Sequence, residues 1–479
     1  MRKPSSTKRL FACLALVAGM GLLSPAQALD RPWISDTFFY WYTWDYDTEL
    51  GSWIGGIHNT PLYGYYDSRS LRDNRFSLWL ASEWGITHHF MDYWAPGWLG
   101  EDGQMREKTV MRAAESVRDD GYDIWMSYYQ DGDNFEMKDF SKNISEKRDV
   151  YQWVQDFSQS PLWPRIGPYP IQLVYGRNGI PGMTTNDHTG FRAFLRRRYA
   201  DIGALNADWG TDFAAFDEIE MDMGAIGPHR AWTVSYQFEI WRREWAEVDR
   251  LVRADFDLPG IRASFDVGYK PMGDMGYIEP MRVFAGPHSY GGIFDRPEAL
   301  EEDRFIQVMV AKRTGNVFFD HFKNYYHDWD IRIPGMAYLP DPYCFDRFWT
   351  GALARNAEAL LHLSWNEWWE GSNLEPCEEW GKTFCEKNLF YSTLMKLCFA
   401  SIRDAGQGAP IGLLLNDWNL RAGGRTTELH SVVRALRAIN ANFDIVLDDT
   451  VTAADLERYR VLIVPSGQCG LGENNAADK

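Results

Sequence analysis

An alternation of short apolar runs with longer amphipathic runs is the feature of this 479-residue chain that most restricts its fold. The short runs are rich in aromatic and β-branched residues and predict strands, whereas the longer runs space their apolar residues as helices do. Eight strand-and-helix units follow one another from Thr37, enough to close a (β/α)₈ barrel. The predicted strands cover residues 37–44, 86–94, 123–130, 171–176, 261–269, 288–294, 316–322 and 359–366. The clearest predicted helices cover residues 108–120, 188–199, 232–256, 298–314 and 345–358.

The pattern changes at the Gly-Gln-Gly-Ala-Pro stretch 406–410, which predicts a domain boundary after a barrel domain of residues 29–405. A long insertion, 202–230, between the fourth and fifth strands belongs to the barrel domain. Residues 406–479 predict a partial flavodoxin-like α/β domain with three strands. Three strands are too few to finish such a sheet, so we expect either a truncated chain or a domain that a partner completes.

Residues 1–28 read as a removed signal peptide. Basic residues near Arg2 and Arg9 precede an apolar run over 10–23, and Ala26-Gln27-Ala28 has the small-x-small pattern of a cleavage site. The alternative is an uncleaved membrane anchor, but the run is short of the roughly 20 residues that a spanning helix needs. We therefore expect a secreted or periplasmic protein that is not held by a membrane after cleavage.

The charge and the aromatic content narrow the class of ligand. A net charge of -18 that includes a basic leader disfavours nucleic acid and anionic membranes as partners. The chain carries 22 tryptophans, and flat sugar faces pack well on such rings, although many of these rings must belong to the core. The expected substrate is a neutral carbohydrate, and no cofactor is expected.

The cysteines and histidines are not spaced as metal ligands. Cys377 and Cys385 bracket a loop that a disulfide would close in an exported protein, but their spacing leaves the pairing open. Asp320 and His321 precede His327, and we expect hydrogen-bonded histidines here rather than a metal site.

Polar residues that directly follow the predicted strands are the candidate catalytic groups, because barrel enzymes place their chemistry at the carboxyl ends of strands. Carboxylates dominate this set, and hydrolysis of a glycosidic bond needs a pair of them. The set comprises Asp92, Asp131, Asp133, Tyr175, Arg177, Asp266, Asp320, His321, Glu367 and Glu370.

The strongest candidate pair is Glu367 and Glu370 in the stretch 364–376, Ser-Trp-Asn-Glu-Trp-Trp-Glu-Gly-Ser-Asn-Leu-Glu-Pro. Residues three apart on a strand face opposite ways, so both carboxylates reach one pocket only if the chain turns at Trp368 and Trp369. Two close carboxyls walled by indoles favour one protonated group near neutral pH. The alternative is that Glu367 forms a buried salt bridge and Glu370 caps a helix.

This stretch resembles the W-N-E-W-x-E-G-x-x-x-E-P signature of glycoside hydrolase family 99, the endo-α-mannosidases and endo-α-mannanases, and of the related WbsX-like proteins. The aromatic stretch 39–42, the stretch 60–68 (Thr-Pro-Leu-Tyr-Gly-Tyr-Tyr-Asp-Ser) and residues 85–94 are similar to the amino end of that family. The resemblance covers residues 37–98 and 359–376. It implies a retaining glycosidase in which Glu367 assists as a base on the neighbouring 2-hydroxyl and Glu370 is the general acid.

A second resemblance concerns the middle of the chain and its carboxyl end. Residues 189–211 are similar to the segment after the fourth strand of family 42 β-galactosidases, and the last domain resembles their trimerisation domain, which implies a homo-oligomer. The Asn-Glu acid/base of those enzymes is missing, because residues 172–177 read Gln-Leu-Val-Tyr-Gly-Arg. This second resemblance keeps a β-galactosidase-like enzyme open as an alternative, and the missing acid/base keeps a non-catalytic carbohydrate-binding protein open. The WbsX-like resemblance keeps a glycosyltransferase open, because such proteins are often labelled so.

The remaining candidate site residues would bind the sugar. Strand-end Asp residues offer hydrogen bonds to hydroxyls and Trp residues offer stacking platforms, although such residues often serve only as caps or core. The predicted substrate-binding set is Trp44, Asp92, Trp94, Trp98, Asp131, Asp266, Asn366, Trp368 and Trp369.

Overall fold

The computed structural model describes residues 29–40, 42, 59–93, 100–131, 160–175, 187–256, 258, 260, 262–265, 276–283, 301–323, 342–368, 371–424 and 426–465. Within these residues, strands and helices alternate along most of the chain. The strands are β1 (Trp33–Phe38), β2 (His88–Tyr93), β3 (Trp125–Asp131), β4 (Arg165–Ile166), β5 (Tyr169–Tyr175), β6 (Arg262–Phe265), β7 (Phe319–Lys323), β8 (Ala359–Leu363), β9 (Ile411–Leu415), β10 (Phe443–Leu447) and β11 (Val461–Ile463). The helices are α1 (Leu71–Glu83), α2 (Gly100–Asp119), α3 (His188–Arg196), α4 (Ile202–Trp209), α5 (Pro228–Phe256), α6 (Ile278–Val283), α7 (Glu301–Thr314), α8 (Pro342–Ala354), α9 (Thr383–Arg403), α10 (Asp417–Arg421), α11 (Thr427–Ala438) and α12 (Ala453–Glu457).

The larger sheet is a curled, mostly parallel sheet of eight strands. Its order is β4-β5-β3-β2-β1-β8-β7, and β6 pairs with β5. Every pair is parallel except β4 with β5, a short antiparallel pair that the sequence pattern did not predict. The predicted sixth barrel strand, residues 288–294, lies outside the described residues. The protein is therefore a mixed α/β protein with a partial barrel in the part of the chain that the structure describes, and closure of the barrel stays a prediction.

The two faces of this sheet bury different side chains. The rings of Phe90 on β2 and Phe319 on β7 meet edge to face at 5.7 Å, although β1 and β8 lie between their strands. They therefore point to the inside of the curl, as does Trp33, whose ring lies 6.0 Å from that of Phe319. Side chains alternate along a strand, so Ser35 and Thr37 share this inner face.

The helices cover the outer face of the sheet. Asp320, on the outer face of β7, accepts hydrogen bonds from Arg355 after α8 at 2.6 and 2.9 Å and from Arg304 on α7 at 3.2 Å. The turn between α1 and β2 packs so closely on α9 that a side chain at Gly85, where φ is +90°, would collide with Ser392. Because Arg304 and Arg355 bind it on the outer face, Asp320 is a structural ion-pair residue and not part of the inner face.

The insertion between β5 and β6 has a small core of its own. α3 begins at the cap Asp187, whose carboxylate accepts from the N–H of Gly190, and α4 ends at Gly210 in a left-handed conformation. The apolar faces of α3, α4 and α5 meet in this core, which confirms the helix and loop that the sequence predicted here. Its buried members are Phe191, Phe194, Leu195, Leu205, Trp209, Ile219 and Tyr236.

A second, three-stranded parallel sheet follows α9, with the order β10-β9-β11. It packs on the barrel helices: the Asp417 carboxylate on α10 accepts from the N–H groups of Tyr277 and Ile278 at 2.5 and 2.9 Å. Arg313 of α7 pairs with Asp444 of β10. The three predicted strands are confirmed, whereas an independent domain starting at residue 406 stays a prediction.

The first strand begins and ends earlier than the sequence pattern predicted. β1 runs from Trp33 to Phe38 rather than over 37–44, because its backbone pairs with β8 from Trp33 and because Phe39 binds a side chain instead of a neighbouring strand.

No helix within the described residues is both long enough and apolar enough to cross a membrane.

Candidate active site

The loop that follows β8 folds back on itself at the carboxyl end of the inner strands. The N–H of Trp365 donates to the carbonyl of Thr37 over 2.9 Å, which continues the pairing of β8 with β1. The N–H of Leu374 donates in turn to the carbonyl of Trp365 over 3.0 Å. Residues 364–368 and 371–375 are thus two arms of one loop, which we call the β8 loop.

Asn366 fastens the first arm of the β8 loop to the end of β1. Its side-chain oxygen accepts from the N–H of Phe39 over 2.7 Å, and its Nδ2 donates to the carbonyl of Phe39 over 2.8 Å. Because a backbone N–H only donates and a carbonyl only accepts, these two bonds set the orientation of the amide. The remaining Nδ2 hydrogen bond goes to the hydroxyl of Tyr66 at 2.9 Å.

Glu367 is held by both arms of the same loop. Its Oε2 accepts from the Ser372 hydroxyl over 2.9 Å, and its N–H donates to Oγ of Ser364 over 2.8 Å. The side chain is only 7% exposed. Glu367 therefore lies just beyond the carboxyl end of β8, the end of the strands at which barrel enzymes carry out their chemistry.

Trp368 anchors the far end of the first arm. Its N–H donates to the Tyr42 hydroxyl over 2.7 Å and its indole Nε1 donates to the Tyr66 hydroxyl over 2.9 Å. The ring is fully buried in a cluster with Phe39, Tyr42 and Cys377. The backbone on both sides of Glu367 is therefore tied to residues that precede α1.

The Tyr66 hydroxyl also donates a hydrogen bond to the second arm. It donates to Oε2 of Glu375 over 3.1 Å. Burial, together with a smaller effect of the Asp36 charge, raises the pKa of Glu375 to about 8, although the hydrogen bond from Tyr66 lowers it. Burial, followed by the charge of Glu375, raises the pKa of Tyr66 well above its ordinary value. The raised pKa favours the protonated, neutral form of Glu375 near pH 7.

Asp92 and Asp131 lie at the same edge of the sheet as Glu367. Asp92 is 4% exposed near the end of β2, and it shares the inner face with Phe90 by strand alternation. Asp131 is the last residue of β3. Strands β8, β1, β2 and β3 are consecutive neighbours in the sheet, so their carboxyl ends adjoin one another.

The other predicted site residues divide into two groups. Asn366 and Trp368 are fully buried and bonded to the protein, where they hold the β8 loop; their contact with a substrate stays a prediction. The rest lie outside the described residues, so their roles stay predictions as well. They are Trp44, Trp94, Trp98, Asp266, Trp369 and the proposed acid Glu370.

Four residues that hold the site were not assigned from the sequence: Tyr42, Tyr66, Ser372 and Glu375. All four lie inside the aromatic or glutamate-rich stretches that carry the family resemblance. That position was the available signal, but hydroxyl partners 300 or more residues away in the chain cannot be paired from sequence spacing.

Two cysteines behind the β8 loop are free. Cys377 and Cys385 are buried and unbridged, and Sγ of Cys385 donates to the carbonyl of Leu374 over 3.1 Å. The disulfide bond that their spacing allowed is therefore not formed. No group of three or more His, Cys, Asp or Glu side chains arranged to hold a metal occurs among the described residues.

A cavity of about 570 Å³ opens at the opposite, amino-terminal end of the strands. It is lined by Trp33, His88, Trp125 and Trp163, and Trp33 and Trp163 are no more than 4% exposed. The Trp33 and His88 rings stack at 4.6 Å. These rings pack on one another, and barrel enzymes place their active sites at the carboxyl ends of the strands. Both observations argue against an active site in this cavity.

No family model matches this chain, and no curated protein sequence matches it. Its fold is similar to that of a solved structure. A family 99 endo-α-mannosidase from Bacteroides thetaiotaomicron, in complex with BIS-TRIS-propane, aligns at a TM-score of 0.51 and 12% identity over 77% of this chain and 98% of that chain. A second structure of that enzyme aligns at a TM-score of 0.49 and 12% identity, over 78% and 98% of the two chains. The chain therefore has a fold like that of family 99 glycoside hydrolases.

Proposed function

We propose that this chain is an exported, retaining glycoside hydrolase that uses Glu367 and Glu370. The observation that carries the proposal is the placement of Glu367, nearly buried and hydrogen-bonded to Ser372 at the carboxyl end of β8. The family 99-like fold supports it, because the resemblance in the β8 loop and the likeness in fold point to the same family.

The reaction would proceed in two steps. Glu367 accepts the proton of the sugar 2-hydroxyl while that oxygen bonds to the anomeric carbon, and Glu370 protonates the departing glycosidic oxygen. A 1,2-anhydro sugar is the product of this step. Glu370 then takes a proton from water, which opens the three-membered ring, and Glu367 returns its proton to the 2-oxygen. Two inversions at the anomeric carbon give retention.

The proposed substrate is a neutral polysaccharide or oligosaccharide, with an α-mannan type favoured. A net charge of -18 would repel anionic chains, and charged groups are not needed to bind sugar hydroxyls. Asp92 and Asp131 at the neighbouring strand ends are the proposed partners of these hydroxyls.

The decisive test compares the mature protein with its Glu367→Gln and Glu370→Gln variants. Activity is measured on aryl α- and β-glycosides and on mannan fragments, and NMR follows the configuration of the product. We expect turnover with retention, and a fall in kcat of about a hundredfold or more in each variant, the size expected for loss of a general acid or base. Glu386→Gln, an exposed glutamate on α9, is the matched control and should keep wild-type activity.

Other outcomes separate the alternatives. Turnover of β-galactosides alone would favour the β-galactosidase-like enzyme, and transfer without hydrolysis would favour a glycosyltransferase. Binding of mannan fragments without turnover in any assay would identify a carbohydrate-binding protein. Equal activity of wild type and both variants would reject the glutamate pair.

Export and self-association are parts of the proposal with their own tests. Mass spectrometry of the secreted or periplasmic protein should find Leu29 as the first residue, since cleavage is expected after Ala28. A full-length chain in the cytoplasm would reject export. Light scattering of the mature protein decides between a monomer and the homo-oligomer that the last domain suggests.

A further inference from the structure

We propose that Tyr66 and Glu375 are positioning residues that hold Glu367 in place at the end of β8, which deepens the proposed function and rests on it. They act through Asn366 and Trp368, the two residues that flank Glu367 in the chain.

The direction of each hydrogen bond follows from the chemistry of its partners. Asn366 can present only N–H groups to Tyr66, because its oxygen is already used by the N–H of Phe39. The indole Nε1 of Trp368 is also only a donor. The Tyr66 oxygen therefore accepts from both, and its hydroxyl proton is directed at Oε2 of Glu375.

Through this arrangement, both arms of the β8 loop hydrogen-bond to the Tyr66 hydroxyl. Residues 366 and 368 belong to the first arm and Glu375 to the second, while Ser372 of the second arm donates to the Glu367 carboxylate. Loss of the Tyr66 hydroxyl removes the acceptor that the Trp368 indole N–H and the Asn366 amide share, which is unfavourable for buried donors. The loop relaxes in response, and Glu367 moves with it.

Glu375 serves this role as an uncharged acceptor. The groups that face it are Tyr66 before α1, Asp36 on β1 and Cys385 on α9, and none of these is a cation. The neutral acid therefore fits the site better than a carboxylate. The Glu375→Gln variant keeps the shape and an accepting oxygen, whereas the Glu375→Leu variant keeps only the approximate volume.

The experiment measures kcat and KM for the wild type and for the Tyr66→Phe, Glu375→Gln and Glu375→Leu variants on the best substrate. We expect Tyr66→Phe and Glu375→Leu to lower kcat about tenfold or more, with KM within about twofold, as misplacement of a reacting group does. Glu375→Gln should stay within a few-fold of wild type. Tyr63→Phe removes an exposed phenol hydroxyl three residues away and is the matched control.

Two results would overturn the inference. Wild-type kcat in Tyr66→Phe would show that the hydroxyl does not position Glu367. A loss in Glu375→Gln as deep as that in Glu367→Gln would show that Glu375 acts as a charged group in the chemistry.

A second measurement keeps the inference testable if the wild type proves inactive. Amide hydrogen exchange of residues 364–368 should be faster in Tyr66→Phe than in Tyr63→Phe or wild type. Faster exchange without any turnover supports the positioning role while the glycosidase proposal fails, and unchanged exchange rejects the positioning role.

Discussion

The side-chain amide of Asn366 binds both backbone groups of Phe39, at 2.7 and 2.8 Å, across 327 residues of chain. It takes the place that a neighbouring strand would occupy, because β1 ends at Phe38. One side chain thus ends the strand and attaches the β8 loop to it.

The first prediction concerns this amide. Asn366→Asp replaces Nδ2 with an oxygen that faces the Phe39 carbonyl, so we expect a loss of about 2–4 kcal/mol in the free energy of unfolding. Urea denaturation followed by circular dichroism measures it. Asn442→Asp makes the same change at an exposed position and should cost under about 0.5 kcal/mol. Equal stability of the two variants would contradict the role assigned to Asn366.

The second prediction concerns the buried ion pair of Asp320 and Arg355, both no more than 2% exposed. Arg355→Met leaves the Asp320 carboxylate without its main partner and should cost about 3–5 kcal/mol. Exchanging Asp320 for Asn in the same protein should recover much of that loss. Arg196→Met breaks an exposed pair with Asp217 and should cost under about 1 kcal/mol. If both single variants were equally stable, Asp320 would have to be reassigned.

The third prediction is a pH dependence of stability that Glu375 causes. Its pKa is about 8 in the folded protein and near 4.5 in the unfolded chain, so the folded protein keeps a proton between these values that the unfolded chain has released. The contribution is complete below pH 4.5 and is lost as the pH rises through 8. Between these values it lowers the free energy of unfolding by about 1 kcal/mol per pH unit.

Glu375→Gln cannot titrate and removes this slope. Urea denaturation of wild type and Glu375→Gln between pH 5 and 9 should therefore show two curves that diverge up to pH 8 and run parallel above it. His362, with a pKa lowered to about 3 by burial, contributes equally in both proteins. Asp36, with a pKa raised to about 6 by burial, titrates below the pKa of Glu375, so its contribution is nearly the same in both. Parallel curves throughout would mean that Glu375 is not held as a neutral acid.

The fourth prediction concerns the thiols. Cys398 on α9 is exposed, whereas Cys377 and Cys385 are free but buried, and burial raises the pKa of both. Iodoacetamide should label Cys398 in the native protein and the other two only after unfolding, as peptide mass spectrometry will show. A disulfide-linked peptide containing Cys377 and Cys385 would contradict the free thiols.

Local patterns in the sequence determined the alternation of strands and helices, the position of Glu367 at a strand end and the three strands of the second sheet. These features depend on neighbours a few residues apart, so hydrophobic period and turn residues are enough to predict them. The insertion core is similar, since its cap at Asp187 and its terminal Gly210 are local signals.

Only the tertiary structure decided what holds Glu367. Tyr66, Asn366 and Glu375 come together because parallel strands bring distant segments to one edge of a sheet, and no local pattern encodes such a meeting. Tertiary structure also distinguishes Asp92 from Asp320, which both follow apolar runs in the sequence. Strand alternation places Asp92 on the inner face and Asp320 on the outer face, where it binds Arg355. Hydrogen-bond direction and burial are properties of these contacts, and they exist only once the chain is folded.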